Sequence, residues 1–474
     1  MTPPPPLPLA ARYQRFRDDL FLGLEEPETL PGFDAALSEI ELQSLWFSGA
    51  FGSEFQLEDG RNVTIQDFGI WNSGPGPDFV ETAIRIGKDV HRGAIELDPD
   101  ARDWERHRHG QNADYNRVIL HIYVTAPESA RFYTRTEQHT EVPQLRLRPH
   151  MLEADARPCS REAAARLGRC ALPLRDMEPI RVTSLLESAA QFRLQRKSRR
   201  LHALIAAQGR EQAVFQSLAQ TLGYRFNQRP FAILAQRLPI RQLKGENSAM
   251  REALLFGAAG FLEDIRAEQT EGAARQHLRR IWDSWWKRRD ACERWLSPQQ
   301  RLRWKLAPVR PGNHPQRRLG ALVALIDQWS AVSAPLMDAT RWTLPGWRDT
   351  LLHLGHPFWS THYTLLAEPA PRPIALIGSS RIHEMLANVV YPLLVPERTR
   401  LWAEYLELPA LLDNQKIRRA LQRLFGPDSR TQPKLRLQYE HQGLLQVYED
   451  FCLEDTSACA DCPFPERLKS WDTA

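Results

Sequence analysis

Apolar residues alternate at strand-like spacing in the first third of the chain. Segments Phe79 to Ile86 (FVETAIRI) and Val90 to Leu97 (VHRGAIEL) have strand length, and a turn at residues 87–89 joins them, so they predict a hairpin. Val118 to Val124 (VILHIYV) is a continuous β-branched and aromatic run, which is typical of a strand buried on both faces. Short runs around Asp59 predict an earlier hairpin, and the order strand, strand, helix, strand predicts a mixed α/β core.

From about Ile180 onward the apolar spacing becomes helical. Leu185 to Ala207 follows this spacing, and short loops with Gly or Pro separate it from later helices, which favours antiparallel helix packing. The next predicted helices are Glu211 to Leu222, Phe231 to Leu238, Ser248 to Ala267 and Ala273 to Trp286. We therefore predict an α+β protein with a proline-rich tail (1–34), an α/β core (35–150), a connector (151–180), an all-helical domain (181–445) and a cysteine-rich tail (446–474).

Composition narrows the class of protein only slightly. The 474 residues are 42% hydrophobic and 25% charged, which is ordinary for a soluble globular protein. A net charge of +4 neither requires nor excludes nucleic acid, although the excess of Arg over Lys suits phosphate recognition. The start has no signal-peptide pattern and the apolar stretch at 253–262 is too short to span a bilayer, so we expect a cytoplasmic protein without a membrane segment.

Acidic residues mark the ends of the predicted hairpin. Asp78 precedes its first strand, Glu96 lies near the end of its second strand, and Asp98 shares the face of Glu96 if that strand continues. Carboxylates that adjacent strands bring to one place suit Mg²⁺ or Mn²⁺, which can polarise a phosphoryl oxygen. The alternative is that Asp78 caps a turn and Glu96 is an exposed strand residue.

Three histidines follow the acids. His107 and His109 belong to a predicted short helix and its end, and His121 lies on the last strand. They are candidates for acid–base chemistry, because histidine titrates near neutral pH. Two histidines at i and i+2 do not share a helix face, which argues against a zinc site built on them. A structural or surface role is the alternative for each.

The Pro77-Asp78 dipeptide, the hairpin and Glu96 together resemble the PD-(D/E)XK nuclease superfamily. The resemblance implies metal-dependent hydrolysis of phosphodiester bonds, with Asp78 and Glu96 as metal ligands. Asp98, or Glu41 of a predicted helix at Ala35 to Trp46 that also holds Glu39, would be a third acid. The superfamily's lysine, expected two residues after the second acid, is replaced by Asp98. A histidine, or Lys88 or Arg92 of the hairpin, is a candidate to take its role.

That replacement leaves two further hypotheses open. The first is a non-catalytic nucleic-acid-binding or assembly protein on a nuclease-derived scaffold. The second is a zinc hydrolase built on the histidines, which predicts zinc in the α/β core.

A broader resemblance extends over nearly the whole chain. The segments GPDF, GAIEL, DWERHRH, YNRVILHIYV, RPGNHPQRR, GLLQVYEDFC and CADCPFPE are similar to an uncharacterised bacterial family, a domain of unknown function. The resemblance identifies relatives without supplying a function. Its members usually carry histidine where this chain has Asp98, which makes the missing lysine a family feature.

Basic side chains in the helical part are candidate contacts for nucleic-acid phosphates. One group lies on the helix after Ile180, and another precedes a helix N-terminus, where free amides favour anions. These residues are Arg193, Arg196, Lys197 and Arg200, and Arg310, Arg317 and Arg318. A solvated helix face and chance loop arginines are the alternatives. Trp282, Trp285 and Trp286 could stack on bases, but their i, i+3, i+4 spacing is more typical of a core.

The cysteines of the tail predict a second metal site. Cys452, Cys459 and Cys462 have the spacing C-x6-C-x2-C, which in a cytoplasmic protein favours metal over disulfides. Cys159 is the favoured fourth ligand and Cys170 the alternative. Either Zn²⁺ or a [4Fe–4S] cluster would suit such a clasp.

Overall fold

A computed structural model of the chain describes residues 7–21, 37–126, 132–148, 151–152, 172–263, 265, 270–307, 309–411, 415–426, 432–452 and 464–471. The chain forms two compact units. The first comprises Met1–Leu30, Arg157–His202 and Ser379–Ala474, and the second comprises Pro31–Ala156 and Ala203–Gly378. The sheet thus shares its unit with the helices from 203 to 378.

The strands of the second unit form a mixed sheet and a small separate hairpin. They are β1 (Glu54–Gln56), β2 (Asn62–Asp67), β3 (Ile70–Trp71), β4 (Phe79–Ile86), β5 (Asp89–Asp100), β6 (Val118–Thr125), β7 (Thr134–Arg135), β8 (Glu141–Val142) and β9 (Gln144–Arg146). The order in the main sheet is β1-β2-β4-β5-β6-β9, with β3 beside β4, while β7 pairs with β8. Pairing is antiparallel from β1 to β5 and parallel from β5 to β9, so both predicted hairpins are confirmed.

Helices make up most of the remaining described chain, as predicted. They are α1 (Pro8–Phe21), α2 (Glu39–Phe47), α3 (Asp103–Arg106), α4 (Pro179–Gln208), α5 (Arg210–Leu222), α6 (Tyr224–Arg237), α7 (Ile240–Gly245), α8 (Ser248–Ala258), α9 (Gly272–Trp286), α10 (Glu293–Leu296), α11 (Pro315–Asp327), α12 (Trp329–Met337), α13 (Leu344–Leu352), α14 (Ser379–Met385), α15 (Tyr391–Leu394), α16 (Leu401–Leu406), α17 (Gln415–Phe425), α18 (Gln438–Cys452) and α19 (Phe464–Leu468). A π-helical turn, Leu386–Val390, joins α14 to α15. The protein is therefore mixed α+β, with an N-terminal sheet and a mostly helical C-terminal region.

Both faces of the sheet are covered within the second unit. On one face α2 packs against β5, and Phe47 stacks on Phe79 with ring centroids 5.4 Å apart. The other face carries a buried cluster of Ala94, Trp104, Tyr115, Val118 and Val142. Strand β6 is buried along almost its whole length, which confirms the interpretation of VILHIYV.

The proline-rich tail contains a helix that the sequence pattern did not predict. Pro8 begins α1, where a proline costs little because the first amides of a helix have no acceptor within it. Within the first unit, α1 buries Tyr13, whose hydroxyl donates to Asp450 over 3.0 Å. The backbone amides of Leu9 and Ala10 donate to Gln191 of α4. These contacts give residues 8–21 a fixed place.

In the described parts of the chain, no single helix is long and apolar enough to cross a membrane. Only α11 and α12 together, bent by 73° at their junction, reach the necessary length and composition.

Close helix contact in the second unit depends on small residues. Gly257 of α8 lies under the indole of Trp285 on α9, and a Cβ added at Gly257 would come within 2.1 Å of that ring. Trp285 is fully buried, which confirms core packing for this residue of the tryptophan cluster, whereas Trp286 is 47% exposed.

We expect Gly257→Ala to lower the free energy of unfolding by about 1–3 kcal/mol, because the buried indole must shift to admit the methyl group. Gly245→Ala is the matched control: Gly245 is also helical, and nothing lies within 4 Å of its added Cβ. Denaturant titration followed by circular dichroism measures both variants. Equal stabilities would contradict the packing described for α8 and α9.

Candidate functional site

Three carboxylates meet where β4 begins and β5 ends. Asp78 immediately precedes β4, and because β5 continues to Asp100, Glu96 and Asp98 share one side of it. The Asp78 amide donates to Glu96 Oε2 over 2.8 Å, and the Leu97 amide donates to Asp78 Oδ2 over 3.0 Å. All three acids are buried, with exposures of 1%, 4% and 3%. The structure therefore brings the predicted acids together.

His121 joins this cluster from the neighbouring strand. Parallel pairing places it beside Glu96 in register, and its Nε2 lies 3.2 Å from Asp98 Oδ2. Its Nδ1 lies 2.6 Å from the Thr134 hydroxyl. Because the ring is fully buried and held at both nitrogens, it fixes the orientation of Asp98.

His107 and His109 also face the acids, contrary to the argument from helix faces. Helix α3 ends at Arg106, and Arg108 adopts a left-handed conformation with φ of 59°. The left-handed residue changes the direction of the chain, so the ring centroids of His107 and His109 lie 5.3 Å apart. The spacing i, i+2 excludes a common face only in a continuous helix, and residues 107–108 interrupt the helix between α3 and the 3₁₀ turn His109–Gln111.

The side chains of Asp98, His107 and His109 form a group that could hold a metal ion. One donor atom from each lies within 4.8 Å of the other two. His107 Nδ1 lies 3.7 Å from Asp98 Oδ1, and His109 Nε2 lies 3.3 Å from Glu96 Oε1. His109 Nε2 is buried and makes no aligned hydrogen bond to any described residue. A mixed carboxylate and imidazole set with an unsatisfied nitrogen fits a divalent transition metal.

Aromatic rings hold His109 in place. Its imidazole stacks on Tyr115 with centroids 4.0 Å apart and meets Trp104 edge-on at 5.5 Å. Trp104 is in turn fixed by a hydrogen bond from its Nε1 to the Arg135 carbonyl, 3.1 Å long. His107, by contrast, keeps 52% of its side chain exposed, so the group opens to solvent on its side.

Arg294 is a member of the site that the sequence analysis missed. Its guanidinium forms an ion pair with Asp78 and donates to the Gly76 carbonyl over 2.7 Å. Trp295 anchors the same helix, α10, through a 3.1 Å bond from its Nε1 to the Asn72 carbonyl. Asp78 and Arg294 are 216 residues apart in sequence, so no local pattern could have linked them.

Helix α2 contributes Glu39 to the site rather than Glu41. Glu41 pairs with Arg229 and accepts a hydrogen bond from the Ser38 amide, which closes the capping box of its own helix. Glu39 accepts a 3.0 Å hydrogen bond from Gln300 and interacts electrostatically with Asp78. Glu41, which the sequence analysis names as a third acid, therefore lies away from the other acids.

Crowding and burial control the protonation of these groups. Burial, with Asp78 and Glu39 nearby, raises the pKa of Asp98 to about 9, and burial also raises the pKa of Glu96 well above its usual value. Burial and Asp78 raise the pKa of Glu39 to about 7. Among the described residues, Arg294 is the only Lys or Arg that forms an ion pair with any of these acids. The carboxylates therefore exceed their positive partners, which favours a bound cation.

Burial keeps the imidazoles of His109 and His121 neutral by lowering their pKa values. Burial lowers the pKa of His121 to about 3, and burial together with His107 and Arg294 lowers the pKa of His109 to about 4. Neutral imidazole is the form that binds metals.

The predicted phosphate-binding residues of α4 are largely engaged within the first unit. Arg193 donates to Gln442 and pairs with Glu449, and Lys197 donates to Gln442 over 2.7 Å. The guanidinium of Arg196 lies 5.9 Å from the ring centroid of Phe192. Arg200 is exposed. Only part of α4 therefore presents basic side chains to solvent, where they could contact phosphates.

Arg317 and Arg318 lie in the first turn of α11 and Arg310 precedes it, and the surroundings of the first two differ from the expected ones. Arg317 is 1% exposed and donates to the carbonyls of Trp359 and His362 over 2.6 and 2.7 Å. Arg318 is 8% exposed and donates to the Leu376 carbonyl over 3.1 Å. Only Arg310 of the three is exposed. The two buried guanidinium groups hold a loop inside the fold, which corrects the expectation of a surface anion site.

Most of the predicted cysteine clasp lies outside the described residues. Cys159, Cys170, Cys459 and Cys462 are not described, and Cys452 is a half-buried residue at the end of α18. The cysteine-metal site stays a prediction.

Fold and site together define a mixed α+β protein with a buried carboxylate–histidine cluster at one end of its sheet. The chain belongs to the family described as "Protein of unknown function (DUF2851)", whose sequence profile matches residues 39–408. The expected membership in an uncharacterised family is confirmed for that region, which includes every residue of the cluster but ends before the cysteine-rich tail. No curated protein and no solved structure matches the chain.

A double-mutant cycle tests the ion pair of Asp78 and Arg294. We expect Arg294→Met to lower the free energy of unfolding by about 3 kcal/mol, because it leaves a buried carboxylate without its cation. Asp78→Asn/Arg294→Met should be more stable than the sum of the single effects predicts, with a coupling of about 0.5–3 kcal/mol.

Arg341→Met removes an arginine from an exposed pair with Asp338, 3.6 Å long, and serves as the control. It should change stability by less than about 1 kcal/mol. Strict additivity between the Asp78 and Arg294 substitutions would refute the contact.

Proposed function

We propose that the protein is a metal-dependent hydrolase that cleaves phosphodiester bonds in nucleic acid at the carboxylate–histidine cluster. The observation that carries the proposal is the convergence of Asp98, His107 and His109 within 4.8 Å, beside the second acid Glu96. Converging oxygen and nitrogen donors in a buried, acid-rich site favour a hydrolytic metal over a purely structural cluster.

Asp98, His107 and His109 would hold the metal, and Glu96 is near enough to add an oxygen. Two imidazoles beside a carboxylate suit Mn²⁺ or Zn²⁺ better than Mg²⁺, which prefers oxygen ligands and keeps much of its water. Such a metal, when bound, polarises a phosphoryl oxygen and lowers the pKa of a coordinated water. The proposed ligands thus combine an acid of the predicted acidic site with two histidines of the zinc-hydrolase hypothesis.

The surrounding residues orient the ligands and balance charge. His121 holds Asp98 from behind, as outer partners of metal ligands commonly do. Arg294 places a permanent positive charge beside Asp78. In the PD-(D/E)XK resemblance a positive charge comes from the lysine two residues after the second acid, and Arg294 is our candidate for that role.

The order of the strands is compatible with that resemblance. Asp78 follows a proline at the start of one strand, Glu96 lies on the next antiparallel strand, and a helical crossover leads to a parallel strand. This order supports a nuclease-like core without deciding the reaction.

One observation favours the non-catalytic alternative. Both oxygens of Asp78 are engaged, one by Arg294 and the other by the Leu97 amide. A protein in which both oxygens of Asp78 already have partners could bind nucleic acid without cleaving it.

A cleavage assay separates the two functions. Single- and double-stranded DNA and RNA are incubated with Mn²⁺, Zn²⁺, Mg²⁺ or EDTA. We expect divalent-dependent cutting that falls at least about 100-fold in Asp98→Ala and His109→Ala, since each removes a ligand. Glu96→Ala and Asp78→Ala should also lose activity, by removing the adjoining acids.

His353→Ala is the matched control, because His353 is an exposed histidine at the C-cap of α13 that pairs with the exposed Asp349 over 3.1 Å. It should cut like the wild type. Salt-sensitive binding without any divalent-dependent cutting would contradict the catalytic proposal. It would support a non-catalytic nucleic-acid-binding protein on a nuclease-derived scaffold.

Metal affinity gives a readout that does not depend on cutting. We expect His121→Asn to weaken Mn²⁺ binding about 10–100-fold, because Asp98 loses the imidazole that orients it. Isothermal titration against Mn²⁺, with His353→Ala in parallel, makes the measurement. An unchanged affinity in a folded His121→Asn protein would exclude Asp98 as a ligand held in this way.

A further inference from the structure

The exposed side of α9 combines arginines with an uncovered tryptophan. A different side of the helix is buried through Ala274, Leu278, Ile281 and Trp285. Arg275, Arg279 and Trp286 are exposed and lie close to one line along the helix, since positions i, i+4 and i+11 differ by only about 40° at 3.6 residues per turn. This line extends for about 16 Å.

Positive charge dominates this side of the helix. Arg275, Arg279 and Lys287 form no ion pair with any residue in the described ranges. Arg288 and Arg289 pair with Glu246 and Glu263 at 3.3 and 2.9 Å. Asp283 and the N-cap residue Glu271 are exposed acids near these basic groups, so a smaller excess of positive charge remains. Such an excess attracts a polyanion.

Trp286 is held in a fixed position although 47% of it is exposed. Its ring meets Trp282 with centroids 5.1 Å apart, and the guanidinium of Arg289 lies 4.9 Å from the ring centroid. Trp282 is itself anchored to the Leu262 carbonyl by a 3.2 Å bond. A large exposed ring supported in this way is suited to stacking on an unpaired base.

The chain leads directly from this side of α9 to the candidate site. Trp286 is eight positions before Arg294 in the sequence, and the guanidinium of Arg294 contacts Asp78. Eight residues span at most about 28 Å when extended, and the intervening chain is partly helical and therefore shorter. A strand bound along α9 would lie within a few nucleotides of the acids.

We infer that the exposed side of α9, with Arg275, Arg279, Lys287 and Trp286, binds the backbone and a base of single-stranded nucleic acid. The inference rests on the proposed function and specifies its substrate class. A single strand is favoured over a duplex because stacking on Trp286 requires a base free of its complement. The arginines supply contacts to phosphates that do not depend on sequence.

Binding in EDTA tests the inference independently of catalysis. The full chain is titrated against a fluorescein-labelled single-stranded oligonucleotide of about 20 nucleotides, and against the matching duplex, over a series of salt concentrations. We expect tighter binding of the single strand. Arg275→Ala/Arg279→Ala should reduce the slope of log K against log salt by about 1.4, since each phosphate contact on a single strand contributes about 0.7.

Trp286→Ala should weaken binding about 5-fold or more and leave the salt slope unchanged, and Trp286→Phe should retain most of the affinity. The matched controls are Arg348→Ala, an exposed arginine on α13, and Phe226→Ala, an exposed aromatic on α6. Both controls should bind like the wild type.

Unchanged affinity in the α9 variants, or an equal loss in the controls, would overturn the inference. Preference for the duplex would overturn it as well. If cleavage occurs and the α9 variants do not affect it, the proposed hydrolase activity is supported and only the α9 binding surface is rejected. Binding through α9 without divalent-dependent cutting supports the surface and removes the catalytic proposal.

Discussion

The carboxyl groups of Asp78, Glu96 and Asp98 are almost completely removed from water, so each must be satisfied inside the protein. Desolvating an isolated carboxylate costs several kcal/mol, and three of them together add mutual repulsion. The chain offsets this with backbone amides, neutral imidazoles and a guanidinium. Because the Asp78 amide donates to Glu96 and the Leu97 amide donates to Asp78, the same contacts fix how β4 begins against β5. The geometry of the site and the register of the sheet thus depend on one set of polar contacts.

Local periodicity predicts the elements but not all of their ends. Strand β4 and the buried run of β6 match their predictions because alternation and β-branching are local properties. Strand β5 continues to Asp100 through Pro99, which an argument from proline would have excluded. Beyond Ile95 the pairing with β4 has ended, so β5 has only β6 as a neighbour and tolerates the missing amide. This extension is what places Asp98 beside Glu96.

The acids of the site could be found from sequence because a short motif carries them, but their partners could not. His107 and His109 converge only because Arg108 adopts a left-handed conformation, which a non-glycine residue rarely does. Glu39 and Glu41 are two residues apart on α2 and point in different directions, so packing alone decides between them. Arg294 reaches the site only through the tertiary fold, since it is 216 residues away from Asp78 in the sequence.

The presence of Asp98 where a lysine was expected changes more than one charge. It adds a carboxylate to the cluster, and positive charge must then come from outside the strand. Arg294 supplies it from α10, and α10 is held against the sheet by the bond from Trp295 to the Asn72 carbonyl. The guanidinium of Arg237 lies 5.2 Å from the ring centroid of Trp71 and 5.4 Å from that of Trp295. It therefore stabilises the same packing of α10 against the sheet. The helices of the second unit are therefore part of the candidate site, because in the described part of the chain they supply the Lys or Arg that pairs with the buried acids.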